Sequence, residues 1–113
     1  MRFRSALTAA GAVALALAVT LPAAAATGQF RYTYRTWHGS EVIGFLTDPL
    51  SGKCIDLPMA GANGGDAAYA PKNLTKSTAT VFLNADCTGD VYYTLRPGGG
   101  ASNRLLVRSV VFS

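Results

Sequence analysis

Two segments of the chain, about fifty residues apart, share one spacing of large side chains and glycine. Each has a large residue, four intervening residues, a tryptophan in the first copy or a cysteine in the second, one more residue and then glycine. The residues are Tyr32, Trp37 and Gly39 in the first copy and Phe82, Cys87 and Gly89 in the second. Each copy leaves a strand-like run, crosses a polar stretch and ends just before the next such run. Glycine at a bend permits a left-handed backbone, so the spacing predicts a repeated structural corner.

The rest of the chain favours an all-β fold. After the first 26 residues no segment sustains a 3.6-residue apolar period, whereas period-two and β-rich runs recur. The predicted strands lie near residues 30–34, 42–46, 54–57, 78–83, 91–95 and 105–112. Composition predicts loops over 59–71 and 96–100. Short strands separated by such turns indicate a β-sandwich or barrel.

The N-terminal segment predicts export. Two arginines precede an apolar run over 6–19, and small residues follow at 23–26. This order is typical of a secretory signal peptide, and about 14 apolar residues fall short of the ~20 that span a bilayer. The sequence therefore predicts a signal peptide over 1–26 and one extracellular domain over 27–113, with no membrane attachment after cleavage.

Cys54 and Cys87 are the two cysteines of this predicted domain. In an oxidising compartment an even count implies a disulfide, and closing about 33 residues should stabilise the fold by about 3–4 kcal/mol. The same pairing disfavours a cysteine nucleophile, and a single histidine excludes a Cys2His2 zinc site. Without the two arginines of the signal segment, eight Lys and Arg face six Asp and Glu. These charges are scattered, so we expect no nucleic-acid partner. We also expect a monomer without a metal or cofactor.

The duplicated corner resembles the Greek-key motif of the βγ-crystallin family. In that family an aromatic-x4-aromatic-x-Gly corner is followed by a serine that closes onto the folded hairpin, and Ser77 and Ser109 stand in that later position here. The resemblance covers roughly residues 30–113 and implies a sandwich of two Greek-key motifs. Cys87 departs from the motif because it replaces the second aromatic residue of the second corner.

Calcium-binding members of that family carry a closing segment of the form Asn/Asp-Asn/Asp-x-x-Ser/Thr-Ser. Here Leu74 follows Asn73 in the first copy, and Arg104 and Leu105 occupy the ligand positions of the second. A hard cation takes about six or more oxygen ligands, and an arginine repels it. The resemblance therefore implies no calcium site.

The chain is also similar to small secreted actinobacterial proteins that share the ending TLRPGGG…RSVVFS, at 94–100 and 108–113. Secreted βγ-crystallin-like relatives include a metalloproteinase inhibitor and a killer-toxin-like protein. This resemblance implies an extracellular interaction module. No functional motif of those relatives aligns with the chain, so no site residue is carried over.

His38 is the sole histidine, and with Glu41 and Arg35 it supplies the residue types of a small secreted ribonuclease. Three neighbours on one corner point in diverging directions, and no G-x-S-x-G nucleophile elbow is present. We therefore expect no catalytic residues, with a hydrolase or ribonuclease as the alternative.

The Gly-rich segment 59–71 is the candidate binding loop, because loops on a rigid sandwich often carry function. Its candidate contact residues are Gly61, Asn63, Asp66 and Tyr69, and the face of Arg31 and Arg35 beside Tyr32 and Tyr34 is the alternative contact surface. Tyr69 either anchors a protein partner or packs the loop onto the sheet. The sequence thus favours a non-catalytic module that binds an extracellular protein, in its sharpest form a protease inhibitor. A purely structural cell-surface protein is a further alternative.

Overall fold

A computed structural model of the chain describes residues 25–61 and 65–113. Over those residues the chain forms eight β-strands and one short 3-10 turn, Ala85–Cys87, with no α-helix. The strands are β1 (Gly28–Arg35), β2 (Glu41–Thr47), β3 (Cys54–Asp56), β4 (Ala68–Thr75), β5 (Ala79–Phe82), β6 (Tyr92–Leu95), β7 (Leu106–Val107) and β8 (Ser109–Phe112). The all-β prediction is confirmed.

The strands of the described residues form two antiparallel sheets of four strands each. The first sheet has the order β2-β1-β4-β7 and the second has the order β6-β5-β8-β3. Strands β2, β1 and β4 of the first sheet correspond in order to β6, β5 and β8 of the second, and β7 corresponds to β3. Each half of the chain thus contributes three strands to one sheet and one strand to the other, and the strand order repeats between the halves.

The two sheets pack face to face around buried side chains, which alternate with more exposed ones along β1 and β5. Phe30 on β1 and Phe112 on β8 meet edge to face with 5.5 Å between their ring centroids, which joins the two sheets at the centre of the core. The other large buried members of the core are Tyr32, Leu57, Val81, Leu95, Val107 and Val110. This arrangement confirms a β-sandwich-like structure.

Strand β4 is a correction to the prediction of a loop extending to Pro71. Alanine, proline and lysine have low strand preference, and proline within a run argues against a strand. The structure accommodates Pro71 at a bulge, because the register between β1 and β4 shifts and sets Ala70 and Pro71 against the single residue Tyr32. Ala70 has a left-handed φ of 51°. The missing N–H of Pro71 therefore falls where the ladder is already interrupted.

A second correction concerns the run over 105–112, which was predicted as one strand. It divides at Arg108 into β7, in the first sheet, and β8, in the second. The N–H of Arg108 donates to the carbonyl of Phe82 over 2.8 Å, and its carbonyl accepts the N–H of Leu57 over 2.9 Å. Arg108 is thus the point at which the chain crosses between the sheets.

The disulfide between Cys54 and Cys87 is confirmed, with 5.9 Å between the two Cα atoms. It joins β3, from the first half of the chain, to the Ala85–Cys87 turn of the second half. The bond therefore ties the two halves together within the second sheet.

The N-terminal boundary of the described residues lies within the core. Ala26 is fully buried, and its N–H donates to the carbonyl of Pro49 over 2.7 Å. Residues 1–24, which hold most of the predicted signal peptide, lie outside the described residues. Over the described part of the chain, no helix has the length and apolar character needed to cross a membrane.

Candidate functional site

The second predicted corner is folded back and closed by Ser109. The Ser109 hydroxyl donates to the carbonyl of Asn84 over 2.6 Å and accepts the N–H of Cys87 over 2.8 Å. Asp86 and Cys87 have φ of 59° and 53°, a left-handed conformation that is unfavourable for residues other than glycine. Gly89, with φ of 89°, supplies the predicted left-handed glycine. The serine and the disulfide together hold this unfavourable backbone in place.

The first predicted corner is an open hairpin instead. Strands β1 and β2 remain paired as far as Arg35 and Glu41, and the tip closes where the N–H of Gly39 donates to the Thr36 carbonyl over 2.8 Å. Gly39 has the predicted left-handed φ, 88°. Trp37 lies on this tip and is 91% exposed. The repeated spacing therefore marks the equivalent hairpin of each half but not the same local conformation.

Tyr32 and Ser77, two other residues of the predicted corner motif, lie away from this tip. Tyr32 lies in the core, where burial, with a smaller contribution from Tyr34, raises the pKa of Tyr32 to about 12. Its ring covers Gly44 on β2, where a Cβ atom would stand only 2.6 Å from the ring. Ser77 lies in the turn between β4 and β5, and its carbonyl accepts the side-chain amide of Asn73 over 2.7 Å. In the described residues the contacts of Ser77 thus hold that turn, whereas Ser109 closes a corner.

A shallow groove lies between the tip of the first hairpin and the Gly-rich segment. We call it the tip groove; its volume is about 610 Å³, and it is lined by Arg35, Thr36, Trp37, Met59, Gly61, Gly65 and Asp66. Met59 is 70% exposed, so two large apolar side chains, Trp37 and Met59, face solvent beside one concave surface. The groove brings together the hairpin and the loop that the sequence indicated separately.

Arg35, Glu41 and Tyr69 form a connected cluster beside the tip groove. The Arg35 guanidinium lies 3.5 Å from the Glu41 carboxylate, and the Tyr69 hydroxyl donates to that carboxylate. This hydrogen bond raises the pKa of the Tyr69 hydroxyl above its usual value. The Arg35 guanidinium also lies 5.7 Å from the centroid of the Tyr69 ring. Tyr69 therefore connects β4 to the first hairpin through Glu41 and Arg35.

The three residues considered for catalysis separate into two groups. Arg35 and Glu41 are cross-strand partners on β1 and β2, whereas His38 lies exposed on the tip with its ring centroid 4.2 Å from that of Trp37. Glu41 forms an ion pair with Arg35 and accepts a hydrogen bond from Tyr69, so its carboxylate helps to hold the hairpin against β4. Over the described part of the chain, no three or more His, Cys, Asp or Glu side chains gather into a metal-binding group.

The predicted binding-loop residues have different positions. Gly61 and Asp66 line the tip groove, Tyr69 belongs to β4, and Asn63 lies outside the described residues. The loop is held near its end by Arg108, whose guanidinium donates to the carbonyl of Gly65 over 2.9 Å.

Trp37 and Met59 were missed as contact residues by the sequence analysis. Trp37 was predicted to be a corner aromatic residue; the available signal was its position between two predicted strands, two residues before Gly39. Nothing in the sequence around Met59 indicates its position opposite that tip.

Asn73 is fully buried and every polar atom of its side chain is bonded. The amide nitrogen donates to the carbonyls of Ser77, Leu95 and Arg96 over 2.7, 3.0 and 3.2 Å, and the amide oxygen accepts from the hydroxyl and the N–H of Thr75. Asn73 also begins a glycosylation acceptor sequence, Asn-Leu-Thr. Burial of the amide excludes its modification in the folded protein.

We expect calcium to leave the melting temperature unchanged. The side-chain oxygen of Asn73 is occupied by Thr75, and Arg104 places an exposed cation in the second closing segment. A ligand present at a hundred times its dissociation constant would stabilise the fold by about 2.7 kcal/mol. Thermal melts in millimolar calcium, in magnesium and in a chelator should therefore coincide. A rise of several degrees in calcium alone would contradict this expectation.

Comparison with protein-family models, with curated proteins and with solved structures finds no match for this chain. Its class is therefore defined by the features described above. It is a disulfide-linked β-sandwich whose halves repeat one strand order, with an exposed tryptophan on a hairpin tip beside an open groove.

Proposed function

We propose that the protein is a secreted, non-catalytic module that binds an extracellular protein partner through the tip groove. The observation that carries the proposal is the exposure of Trp37 beside Met59 on one concave surface. Exposed apolar patches rimmed by polar groups mark interaction sites, and tryptophan is enriched among the residues that dominate binding energy. Here the polar rim is supplied by Arg35 and Asp66.

The rigidity of the tip supports this proposal. The N–H of Ser40 donates to the Thr36 hydroxyl over 3.2 Å, and the N–H of Thr36 donates to the Ser40 carbonyl over 2.8 Å. Tyr69 then fixes the base of the hairpin through Glu41. A preorganised surface loses less conformational entropy when it binds, so more of its contact energy appears as affinity.

We assign the domain to a βγ-crystallin-like arrangement of two Greek keys. Within each half, three strands lie side by side in one sheet, in the order β4-β1-β2 or β8-β5-β6. The remaining strand of each half lies in the opposite sheet. The closure of the second corner by Ser109 supports the assignment. The open first hairpin is a departure from that motif, and it is the departure that exposes Trp37.

We propose that the chain is exported by the segment preceding this domain. A basic, apolar and small-residue order at the N-terminus and a disulfide both fit an oxidising compartment. Ala26 packs in the core, so we place cleavage no later than Ala25.

Protease inhibition is the most specific form of the proposal that the tip groove binds an extracellular protein. The backbone next to Met59 is held where the N–H of Ala60 donates to the Leu57 carbonyl over 3.1 Å, and Arg108 separately holds Gly65. Met59 is thus an exposed apolar side chain on a fixed backbone. An exposed segment that keeps its conformation suits an inhibitor, because a protease must otherwise order the chain that it binds.

A panel of extracellular proteases tests this form. We expect inhibition of at least one protease, and we expect Trp37→Ala to weaken it by about 30-fold, the effect of losing a contact worth roughly 2 kcal/mol. Tyr92→Ala removes another exposed aromatic residue, on β6, and serves as the control.

His38→Ala separates this proposal from the enzymatic alternative. A binding module should keep its affinity, whereas a nuclease that uses His38 as a general acid or base should lose about 10²-fold in rate. RNA hydrolysis by the wild type that His38→Ala abolishes would contradict the proposal.

A further inference from the structure

The outer face of the first sheet carries a pair of like charges. Arg31 on β1 and Lys72 on β4 are cross-strand partners, and both side chains are only partly exposed. Like charges directly opposite each other destabilise a sheet. Among the described residues, the ion pair within 4 Å joins Arg35 and Glu41 and leaves Arg31 and Lys72 without a carboxylate.

A hollow of about 190 Å³ lies between these two cations. Arg31, Thr33, Ile43, Ala70 and Lys72 contribute to its wall, and we call it the Arg31–Lys72 hollow. The hollow lies at the bulge at Ala70, where the register between β1 and β4 shifts. Two of the residues that line the hollow, Arg31 and Lys72, therefore carry positive charge.

Apolar side chains flank the hollow on one side. On β2, Phe45 is the cross-strand partner of Arg31 and Ile43 is the partner of Thr33, which places them on the same face. They are 50% and 54% exposed. β2 is also an outer strand of its sheet, so an extended chain can lie beside it.

We propose that the Arg31–Lys72 hollow binds a carboxylate of an acidic segment of the protein partner, with apolar neighbours of that carboxylate packed on Ile43 and Phe45. The volume suits one acidic side chain, and its charge offsets the repulsion between the two cations. The apolar flank favours a protein segment over a sulfated polysaccharide, which has no apolar side chains to place there. The inference rests on the proposed function and gives the chemistry of the partner.

A short synthetic peptide in which glutamate alternates with valine is the probe, and the same peptide with glutamine is its control. We expect the acidic peptide alone to bind by fluorescence anisotropy, with amide shifts centred on Thr33 and Ile43. Arg31→Gln should weaken binding about tenfold, the usual size of one charge-assisted contact, while Lys53→Gln in an exposed turn should not. Equal binding of the glutamine peptide, or preference for dextran sulfate, would overturn the proposal.

Lys72→Glu gives a second readout that a merely structural role would not produce. It converts the like-charge pair into an opposite-charge pair, so the melting temperature should rise by about 2–6 °C while peptide binding is lost. Loss of both stability and binding would contradict the inference.

Natural-partner binding distinguishes this inference from the proposed function. If Trp37→Ala abolishes binding of the natural partner and Arg31→Gln leaves it unchanged, the tip groove is supported as the binding site and the Arg31–Lys72 hollow is ruled out. If Arg31→Gln abolishes this binding and Trp37→Ala does not, the Arg31–Lys72 hollow is supported as the binding site and the tip groove is ruled out.

Discussion

Reduction of the Cys54–Cys87 disulfide should lower the melting temperature by roughly 15–30 °C. The bond closes a separation of 33 residues, for which the loss of chain entropy in the unfolded state corresponds to about 3.7 kcal/mol. A domain of this size has a total stability of roughly 5–8 kcal/mol, so the bond contributes roughly half to three quarters of it.

The same reduction should loosen the second corner first. Asp86 and Cys87 hold left-handed conformations, and the disulfide is one of the restraints that keep them there. In the reduced protein we expect faster hydrogen exchange at the N–H of Cys87, which Ser109 otherwise protects.

A Cys54→Ser, Cys87→Ser double variant controls for the reductant and should behave like the reduced protein. A melting temperature within a few degrees of the oxidised protein, or two freely alkylatable thiols in exported material, would contradict this account.

Asn73→Ala should destabilise the fold by about 3 kcal/mol or more, since each buried group left without a partner costs roughly 1–3 kcal/mol. The side-chain amide that is lost connects β4 to the end of β6 through the Leu95 carbonyl and to the following residue through the Arg96 carbonyl. It also holds the turn before β5 through Ser77. Few water molecules can replace these contacts, because Asn73 is fully buried.

Chemical unfolding of the Asn73→Ala variant measures this effect, and Asn103→Ala, at an exposed position, is the matched control. The control should stay within about 0.5 kcal/mol of the wild type. A similarly small change for Asn73→Ala would show that the buried amide network does not stabilise the connection between the sheets.

Strand alternation and turn residues were enough to predict most of the fold. Phe30 and Tyr32 alternate with polar residues, and they do face the core. β4 escaped prediction because Pro71 is tolerated only at a bulge, and the bulge exists only once β1 lies beside β4. The division at Arg108 was likewise set by tertiary structure, since it follows from the crossing between the sheets.

The repeated spacing predicted where the two equivalent hairpins lie but not their difference. The second corner folds back where Ser109 and Cys54 reach it from β8 and β3. The first hairpin stays open, with β1 and β2 paired as far as Arg35 and with Trp37 beyond the last pair. These contacts join residues distant in sequence, and spacing alone carries no information about them.

The candidate site could be predicted only in part. The Gly-rich segment and the charged hairpin were each identified, whereas their meeting in one groove depends on the position of β4. The Tyr69–Glu41 contact and the opposition of Arg31 and Lys72 both follow from the register that the bulge sets. A shift of β4 by one residue would move its side chains, Tyr69 and Lys72, to the other face of the sheet.

Affinity capture from the culture medium of the producing organism tests the central claim most directly. The immobilised wild type, Trp37→Ala and Tyr92→Ala proteins should be compared side by side. We predict that one protein is retained by the wild type and by Tyr92→Ala and is lost from Trp37→Ala. Retention of the same protein by all three, or of none by the wild type, would contradict binding through the tip groove.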